Sequence, residues 1–520
     1  MGAKNFTKQQ IKDYVYTFFE KYKEFVDEEI RISVENTACW EYLLKCLESL
    51  SNDEVSINPR NNLDRYKAFT YIFDRYKLFY QVVSLVDRLN AGSLSNTKLF
   101  GVPIAIKDNI TIKDVHFADG IFHSYNMIDI GSKSLEDYSP AYDATVVKSL
   151  IEAGLIIIGK TKLDEFGVGS LTDGVINPHG EKYIVGGSSG GSSAVVGGRI
   201  VTCALGTDTG GSVRLPSSYC GCYGYRPSYG LISRFGLSEL SGMFDTVGIV
   251  GDSVYQTALL SHALVCHDIK DMNSSYSCSK VQKKIHNFLL NCKETSNLHR
   301  PLRDVKLATF DLEELYSSGY IDEDNKKNMQ NVQKILTELG AEIVKVDIAR
   351  LEACASIYHL YVAKQLTTNL KRFRNPLHNK SHSLETTSVV SKFHEKTIRR
   401  LNLGNAIVEN EVYIENLLGE ERENLINWVE RNKLFDEIEF LITPVSVNAL
   451  PVKEENVSLI KSELYTTIAP ILGLCSITIP SDLKTPPLSF QITAGYMQDD
   501  KLFRVASAFE NFVKKNVTHS

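Results

Sequence analysis

The sequence predicts an α/β protein with one large sheet covered by helices on both faces. Three observations carry this. Amphipathic segments of helical length alternate with short apolar runs along most of the chain. Glycines stand where a helix would hand over to a strand, as at Gly154 and Gly340. The 520 residues, 43% of them hydrophobic, are ample for a large core. No internal repeat divides them.

Residues 1–65 read as a polar helical extension, with Tyr14, Phe18, Tyr22 and Phe25 at amphipathic spacing. A looser stretch, Ser51–Asn62, separates it from the main domain, 66–520. Tyr66–Asn90 reads as helix, and Val102–Ile106 as a short buried strand with Lys107 at its end. Ala144–Ala153 is a helix stopped by Gly154 and followed by the strand Leu155–Ile158. The same order recurs in Asn328–Leu339, Gly340 and Glu342–Val346. Phe440–Thr443, Ile477–Pro480 and Phe490–Ala494 complete the predicted strands, and Leu502–Val513 the last helix. Ser274–Arg300 is polar and reads as surface, while 350–435 reads as helical and suited to wall a pocket.

Charge narrows the function classes. The net charge of −6 gives no general attraction to nucleic acid, so contact with RNA requires a local patch or a partner. No apolar run is long enough to span a membrane. The ten cysteines lack zinc-site spacing, and several lie in apolar runs, which fits buried thiols in a reducing compartment. Lys4, Lys8 and Lys12, with no acid among them, read either as an ordinary basic helix start or as organelle targeting.

The chemistry concentrates in two glycine-flanked clusters, Gly186-Gly187-Ser188-Ser189-Gly190-Gly191-Ser192 and Gly206-Thr207-Asp208-Thr209-Gly210-Gly211-Ser212. Such composition can mark a flexible linker. Here the clusters enclose Ala194-Val195-Val196 and Ile200–Leu205, so they read as tight loops within a core. These loops offer small hydroxyls, permissive backbone and several N–H groups that can converge on one point. Lys107, abutting an apolar strand, either snorkels outward or is functional.

A serine nucleophile needs a base. None of the histidines lies in or beside the clusters, which leaves a lysine as the alternative. At its ordinary pKa of about 10.4 a lysine is almost wholly protonated at neutral pH, and burial lowers that value. A pocket holding Lys107, Ser188 or Ser189, and Ser212 is therefore self-consistent. A rival reading takes Gly187-Ser188-Ser189-Gly190-Gly191 as a hydrolase nucleophile elbow, with His267 or His394 downstream. That reading gives the second cluster no role.

The two clusters and Lys107 together resemble the amidase signature family, from about Tyr66 to the C-terminus and most densely over Val185–Gly236. The resemblance implies the amidase-signature fold, a large mixed sheet sandwiched between α-helices. It implies a triad with Lys107 as base, Ser188 as a bridging serine in a cis peptide and Ser212 as nucleophile. The N–H groups of Thr209, Gly210, Gly211 and Ser212 would form the oxyanion hole, supported by Ser189, Asp208 and Arg214. Asp208 and Arg214 fit equally a structural ion pair.

Within the family, Gly159–Gly167, Pro227-Ser228-Tyr229-Gly230, Ser233-Arg234-Phe235-Gly236 and His267–Asp271 are similar to the A subunits of glutamyl-tRNA(Gln) amidotransferases, more the mitochondrial kind than the bacterial. This likeness implies a glutaminase. It also implies a B subunit that uses ATP and magnesium to amidate Glu-tRNA(Gln), a small third subunit, no cofactor in this chain, and a mitochondrial location with the cytoplasm as the alternative. Arg399 or Arg400 would bind the substrate carboxylate, and Glu463 would stand where the pattern has aspartate. Val185 in place of a proline, the short stretch from Ser170 to Val185, and the sequence after Phe373 depart from the pattern. A stand-alone amidase with the same triad, or a scaffold that has lost catalysis, are the competing functions.

Overall fold

In the computed structural model of the chain, the residues described are 7–52, 63–94, 98–113, 116–118, 121–123, 130–135, 140–295, 298–348, 351–372, 393–453, 459–482 and 486–517. Lys4, the stretch 53–62 and the divergent segment after Phe373 lie outside them.

The strands are β1 (Phe69–Ile72), β2 (Pro103–Lys107), β3 (His116–Ala118), β4 (Ile121–His123), β5 (Ile156–Thr161), β6 (Cys203–Asp208), β7 (Tyr223–Arg226), β8 (Thr246–Gly251), β9 (Lys306–Phe310), β10 (Glu342–Val346), β11 (Phe440–Thr443), β12 (Cys475–Asp482) and β13 (Leu488–Ala494). Eleven of them form one sheet in the order β1-β5-β2-β6-β8-β7-β12-β13-β11-β9-β10, and β3 and β4 pair separately. The sheet is mixed. β2 runs parallel to β5 and β6, and β9 parallel to β10 and β11. The strands between β6 and β11 pair antiparallel. Every residue of β2, β5, β6, β7 and β8 is buried, as expected for a sheet covered on both faces.

Local sequence chemistry sets the helix boundaries. Asp74, Ser253 and Asp322 accept hydrogen bonds from the backbone N–H groups of Lys77, Gln256 and Asn325 as N-caps. Gly154 and Gly340 follow their helices with φ of +90° and +102°, a conformation that excludes most side chains. The predicted helix Tyr66–Asn90 is the main departure. It opens instead with β1, where Phe69–Ile72 pair antiparallel with β5, and helix begins only after the Asp74 cap, over Arg75–Asn90. The polar stretch read as surface contains the helix Cys278–Thr295.

The N-terminal helices Lys8–Phe25, Glu28–Glu35 and Ala38–Asn52 share the core of the sheet. Thr7 and Gln10 close a capping box at their start. Phe18 is fully buried against Phe100, with ring centroids 5.7 Å apart, and Tyr22 stacks on Trp40 at 4.3 Å. Gly101 lies beneath the Phe18 ring, where an added Cβ would come within 2.8 Å.

Helices from the 350–435 region, Leu351–Arg372, Glu395–Glu409 and Glu411–Arg431, pack against one another. Gly404 lets the first two cross closely, since a Cβ there would stand 2.3 Å from the Ala363 carbonyl oxygen. No disulfide joins any of the ten cysteines, and nine of them are buried. Among the described residues no helix is long and apolar enough to cross a membrane.

Because Phe18 joins the first helix to the main core, Phe18→Ala is expected to destabilise the whole chain by about 3–5 kcal/mol. Denaturant unfolding followed by circular dichroism would show the entire transition moving to lower denaturant. An early minor transition with the main one unmoved would mean that the N-terminal helices fold apart from the sheet.

Candidate active site

β2 and β6 are parallel neighbours, so their C-terminal ends open at the same edge of the sheet. Lys107 ends β2, and Thr207 lies near the end of β6. The Lys107 side chain is fully buried, and its Nζ lies 2.8 Å from Ser188 Oγ, 2.9 Å from Ser189 Oγ and 2.8 Å from Thr207 Oγ1. Burial pulls the amine down to about 7, against the opposing attraction of Asp164, Asp245 and Asp208.

The first cluster delivers Ser188 and Ser189 from a loop that runs straight into the buried helix Gly190–Gly197. The Gly187–Ser188 peptide is cis. The two serines differ in what holds them. Ser189 Oγ donates to the Thr207 carbonyl at 3.1 Å and accepts from the Thr207 N–H at 3.2 Å. Its proton is therefore committed to the backbone of β6. Ser188 Oγ has no such carbonyl, which makes it the serine able to exchange a proton with the amine. Asn109 Nδ2 donates to Thr207 Oγ1 at 3.1 Å and fixes the third hydroxyl.

Ser212 closes the second cluster, in the loop between β6 and the buried helix Arg214–Cys220. Its carbonyl accepts the Ser189 N–H at 3.0 Å, which ties the two clusters together. No hydrogen bond links its hydroxyl to Ser188. The N–H groups of Thr209, Gly210, Gly211 and Ser212 donate to no protein acceptor among the described residues. Free donors on one short loop can receive a developing oxyanion. Glycine is required there for space. A Cβ on Gly210 would stand 2.3 Å from the Tyr358 ring, and one on Gly211, at φ +132°, 2.3 Å from Thr466 Oγ1.

Three side chains fix this loop. Thr209 Oγ1 donates to Asp245 at 2.6 Å, and Asp245 also receives the N–H groups of Leu240 and Ser241. Thr466 Oγ1 donates to the Gly210 carbonyl at 2.5 Å. Asp208 is held at two edges by Arg214, at 3.1 and 3.0 Å, and by Arg226 at 2.9 Å. Burial alone would raise this carboxyl, but the two guanidinium groups hold it far below the usual carboxylate range. Asp208 and Arg214 thus form a fully buried ion pair beneath the loop.

The two candidate arginines separate by helix phase. Arg399 points to solvent and pairs with Glu395, which removes it from the pocket. Arg400, one residue on and so about a hundred degrees around the helix, faces inward, and its Nη1 lies 3.1 Å from both His359 Nδ1 and the His359 carbonyl oxygen. Glu463 is buried opposite, with Oε2 3.4 Å from His359 Nε2. Burial raises its carboxyl to about 7, partly countered by Arg400. A separate cavity of about 640 Å³, lined by residues that include Tyr229, Phe244, Tyr361 and Ile471, holds none of the triad candidates.

Sequence reasoning missed Thr207, Asn109, Asp245, Thr466 and His359. Asn109 and Thr207 were visible beside Lys107 and within the second cluster. The other three come from distant segments, and nothing in their local sequence marks them.

Comparison with known proteins identifies the family. The amidase family profile matches residues 80–503. The A subunit of the glutamyl-tRNA(Gln) amidotransferase of Sulfurimonas denitrificans is 30% identical over 432 residues, covering 80% of this chain and 90% of the relative. Its counterpart of the same name from Thermotoga maritima is 30% identical over 483 residues, covering 90% of this chain and 94% of the relative. The crystal structure of the glutamyl-tRNA(Gln) amidotransferase A subunit from Thermotoga maritima superposes with a TM-score of 0.65 at 25% identity, covering 92% of this chain and 91% of that one. A bacterial aryl acylamidase shares the fold at a TM-score of 0.70 and 18% identity, covering 92% and 94%. With the profile spanning most of the sheet and both serine clusters, the chain belongs to the amidase family.

Proposed function

We propose that this chain is the glutamine-hydrolysing A subunit of a glutamyl-tRNA(Gln) amidotransferase. The observation that carries the reading is the buried Lys107 amine among three hydroxyls, at the strand edge from which the Ser212 loop emerges. The relatives of that name over most of the chain support the choice of substrate.

In the proposed reaction the neutral Lys107 amine takes the Ser188 proton, and Ser188 takes the proton of Ser212. Ser212 Oγ bonds to the carbonyl carbon of the glutamine side-chain amide. The carbonyl electrons move to oxygen, where the N–H groups of residues 209–212 receive them. Collapse of the intermediate breaks the C–N bond. The proton returns through Ser188 to the leaving nitrogen, and ammonia departs. Water then attacks the acyl-serine through the same relay and releases glutamate. Arg400 would hold the α-carboxylate of glutamine and Glu463 its α-ammonium group.

A partner B subunit would use the ammonia, with ATP and magnesium, to convert Glu-tRNA(Gln) to Gln-tRNA(Gln), and a small third subunit would complete the complex. The mitochondrion is the proposed compartment on sequence likeness, with the cytoplasm as the alternative.

Ammonia release from glutamine by the assembled complex, with and without Glu-tRNA, tests the reading. Lys107→Ala and Ser212→Ala are each expected to lower turnover by more than about 10³-fold, whereas Ser189→Ala slows it without abolishing it. An inactive Ser189→Ala beside an active Ser212→Ala would favour the nucleophile-elbow alternative.

The pH profile is a second test. Lys107 works as the free base, and its amine titrates near 7. Glu463 must be ionised to hold an ammonium group and also titrates near 7. Both groups lose a proton to become competent, so kcat/KM should rise with pH through about 7 and fall steeply on the acid side. A profile that stays flat well into the acid range would exclude Lys107 as the base.

A further inference from the structure

His359 stands between the only two opposite charges assigned to the substrate pocket, and its geometry fixes how it does so. An arginine guanidinium has donors and no acceptor. At 3.1 Å from Arg400 Nη1, His359 Nδ1 must therefore present its lone pair. In the neutral ring the proton then sits on Nε2, which faces Glu463 Oε2 at 3.4 Å. Arg400 Nη1 is also bound by the His359 carbonyl oxygen, so the ring and its own backbone grip the same guanidinium nitrogen. The three residues come from three segments: the helix Leu351–Arg372, the helix Glu395–Glu409 and the turn after Leu459–Ser462.

A partly buried arginine and a buried carboxylate sharing one space ordinarily meet in a bidentate pair. Here no direct ion pair joins Arg400 to Glu463, and the imidazole occupies the line between them. Glu463 Oε2 accepts no hydrogen bond although it is buried. A pocket in which the two charges had collapsed onto each other would have no need of a zwitterion. One that holds them apart, with the carboxylate unsatisfied, has a place for an ammonium group and a carboxylate at fixed separation. The neighbouring Tyr358 packs against Gly210, so the helix position that seats this ring on the oxyanion loop also aims His359.

We infer that His359 is a positioning residue that keeps Arg400 and Glu463 apart and oriented, and thereby selects amides that carry both an α-amino and an α-carboxylate group. This rests on the glutaminase reading. It deepens that reading by naming the residue that sets the substrate preference.

The test measures ammonia release by the assembled complex with two substrates. One is glutamine, and the other is glutaramate, which is glutamine without its α-amino group. His359→Leu removes both ring nitrogens at similar volume, and His359→Gln keeps a donor directed toward Glu463. For His359→Leu, KM for glutamine should rise about 10–100-fold, as for loss of a hydrogen bond to a charged group, with kcat within about twofold. The kcat/KM preference for glutamine over glutaramate should shrink by the same factor. His359→Gln should restore most of that preference, and it also carries the test if the leucine variant fails to fold. A loss of kcat equal for the two substrates, or an unchanged preference in both variants, overturns the inference while leaving the glutaminase reading intact. A wild-type complex that releases no ammonia from glutamine overturns both.

Discussion

A lysine amine enclosed by hydroxyls rather than carboxylates is the constraint on which the site depends. Had a carboxylate touched Lys107, the ion pair would hold the proton on nitrogen and end its use as a base. The three acids nearest in charge are instead each committed elsewhere. Asp208 is claimed by two arginines, Asp245 by Thr209 and two backbone N–H groups, and Asp164 by the N–H and hydroxyl of Thr172. They temper the burial that drives the amine downward without binding it. Ser188, Ser189 and Thr207 replace water around the nitrogen and leave the proton free to move.

A charged cage lies under the loop that carries Ser212. Arg214 reaches Asp208, Gln491 on β13 and the Thr466 carbonyl, while Arg226 on β7 reaches Asp208 and the Phe244 carbonyl. One carboxylate thus joins β6, β7, β13 and the segment around Thr466. Buried ion pairs add little net stability, yet breaking one leaves an unpaired charge at large cost. Asp208 is better understood as fixing geometry. Its Oδ2 also accepts the Val213 N–H, so the turn that presents Ser212 is pinned from below.

What could be read in the sequence follows from how local each signal is. β10 and β11 were predicted with the boundaries the structure has, because β10 follows the glycine stop at Gly340 and β11 is a short apolar run. β7 and β8, Tyr223–Arg226 and Thr246–Gly251, were missed because glycines and polar residues interrupt their apolar pattern while tertiary burial makes them strands. Lys107 and the serine clusters stood out because glycine density and a stranded lysine are unusual at any position. Asp245 and Thr466 act across the fold, and only packing brings them to the loop. Arg399 and Arg400 could not be separated without the phase of their helix, which places one in water and the other in the pocket.

The turn Glu463–Thr467 links the Arg400–His359–Glu463 cluster to the loop 209–212. Glu463 faces His359, and three residues later Thr466 Oγ1 donates to the Gly210 carbonyl and lies 3.2 Å from the Glu463 carbonyl. Across from it, Tyr358 covers Gly210 while His359 faces Glu463. Two segments therefore each carry one residue that packs on the loop 209–212 and one in the charged cluster. Neither function can shift without dragging the other. The distance between the group that would anchor the α-amino end of a substrate and the loop that would receive its amide oxygen is set by covalent spacing within these segments. An amide of the wrong length would leave either Glu463 unsatisfied or the N–H donors empty, and both are costly in a site this dry. In the proposed glutaminase, selection by length would come from the same packing that buries Lys107.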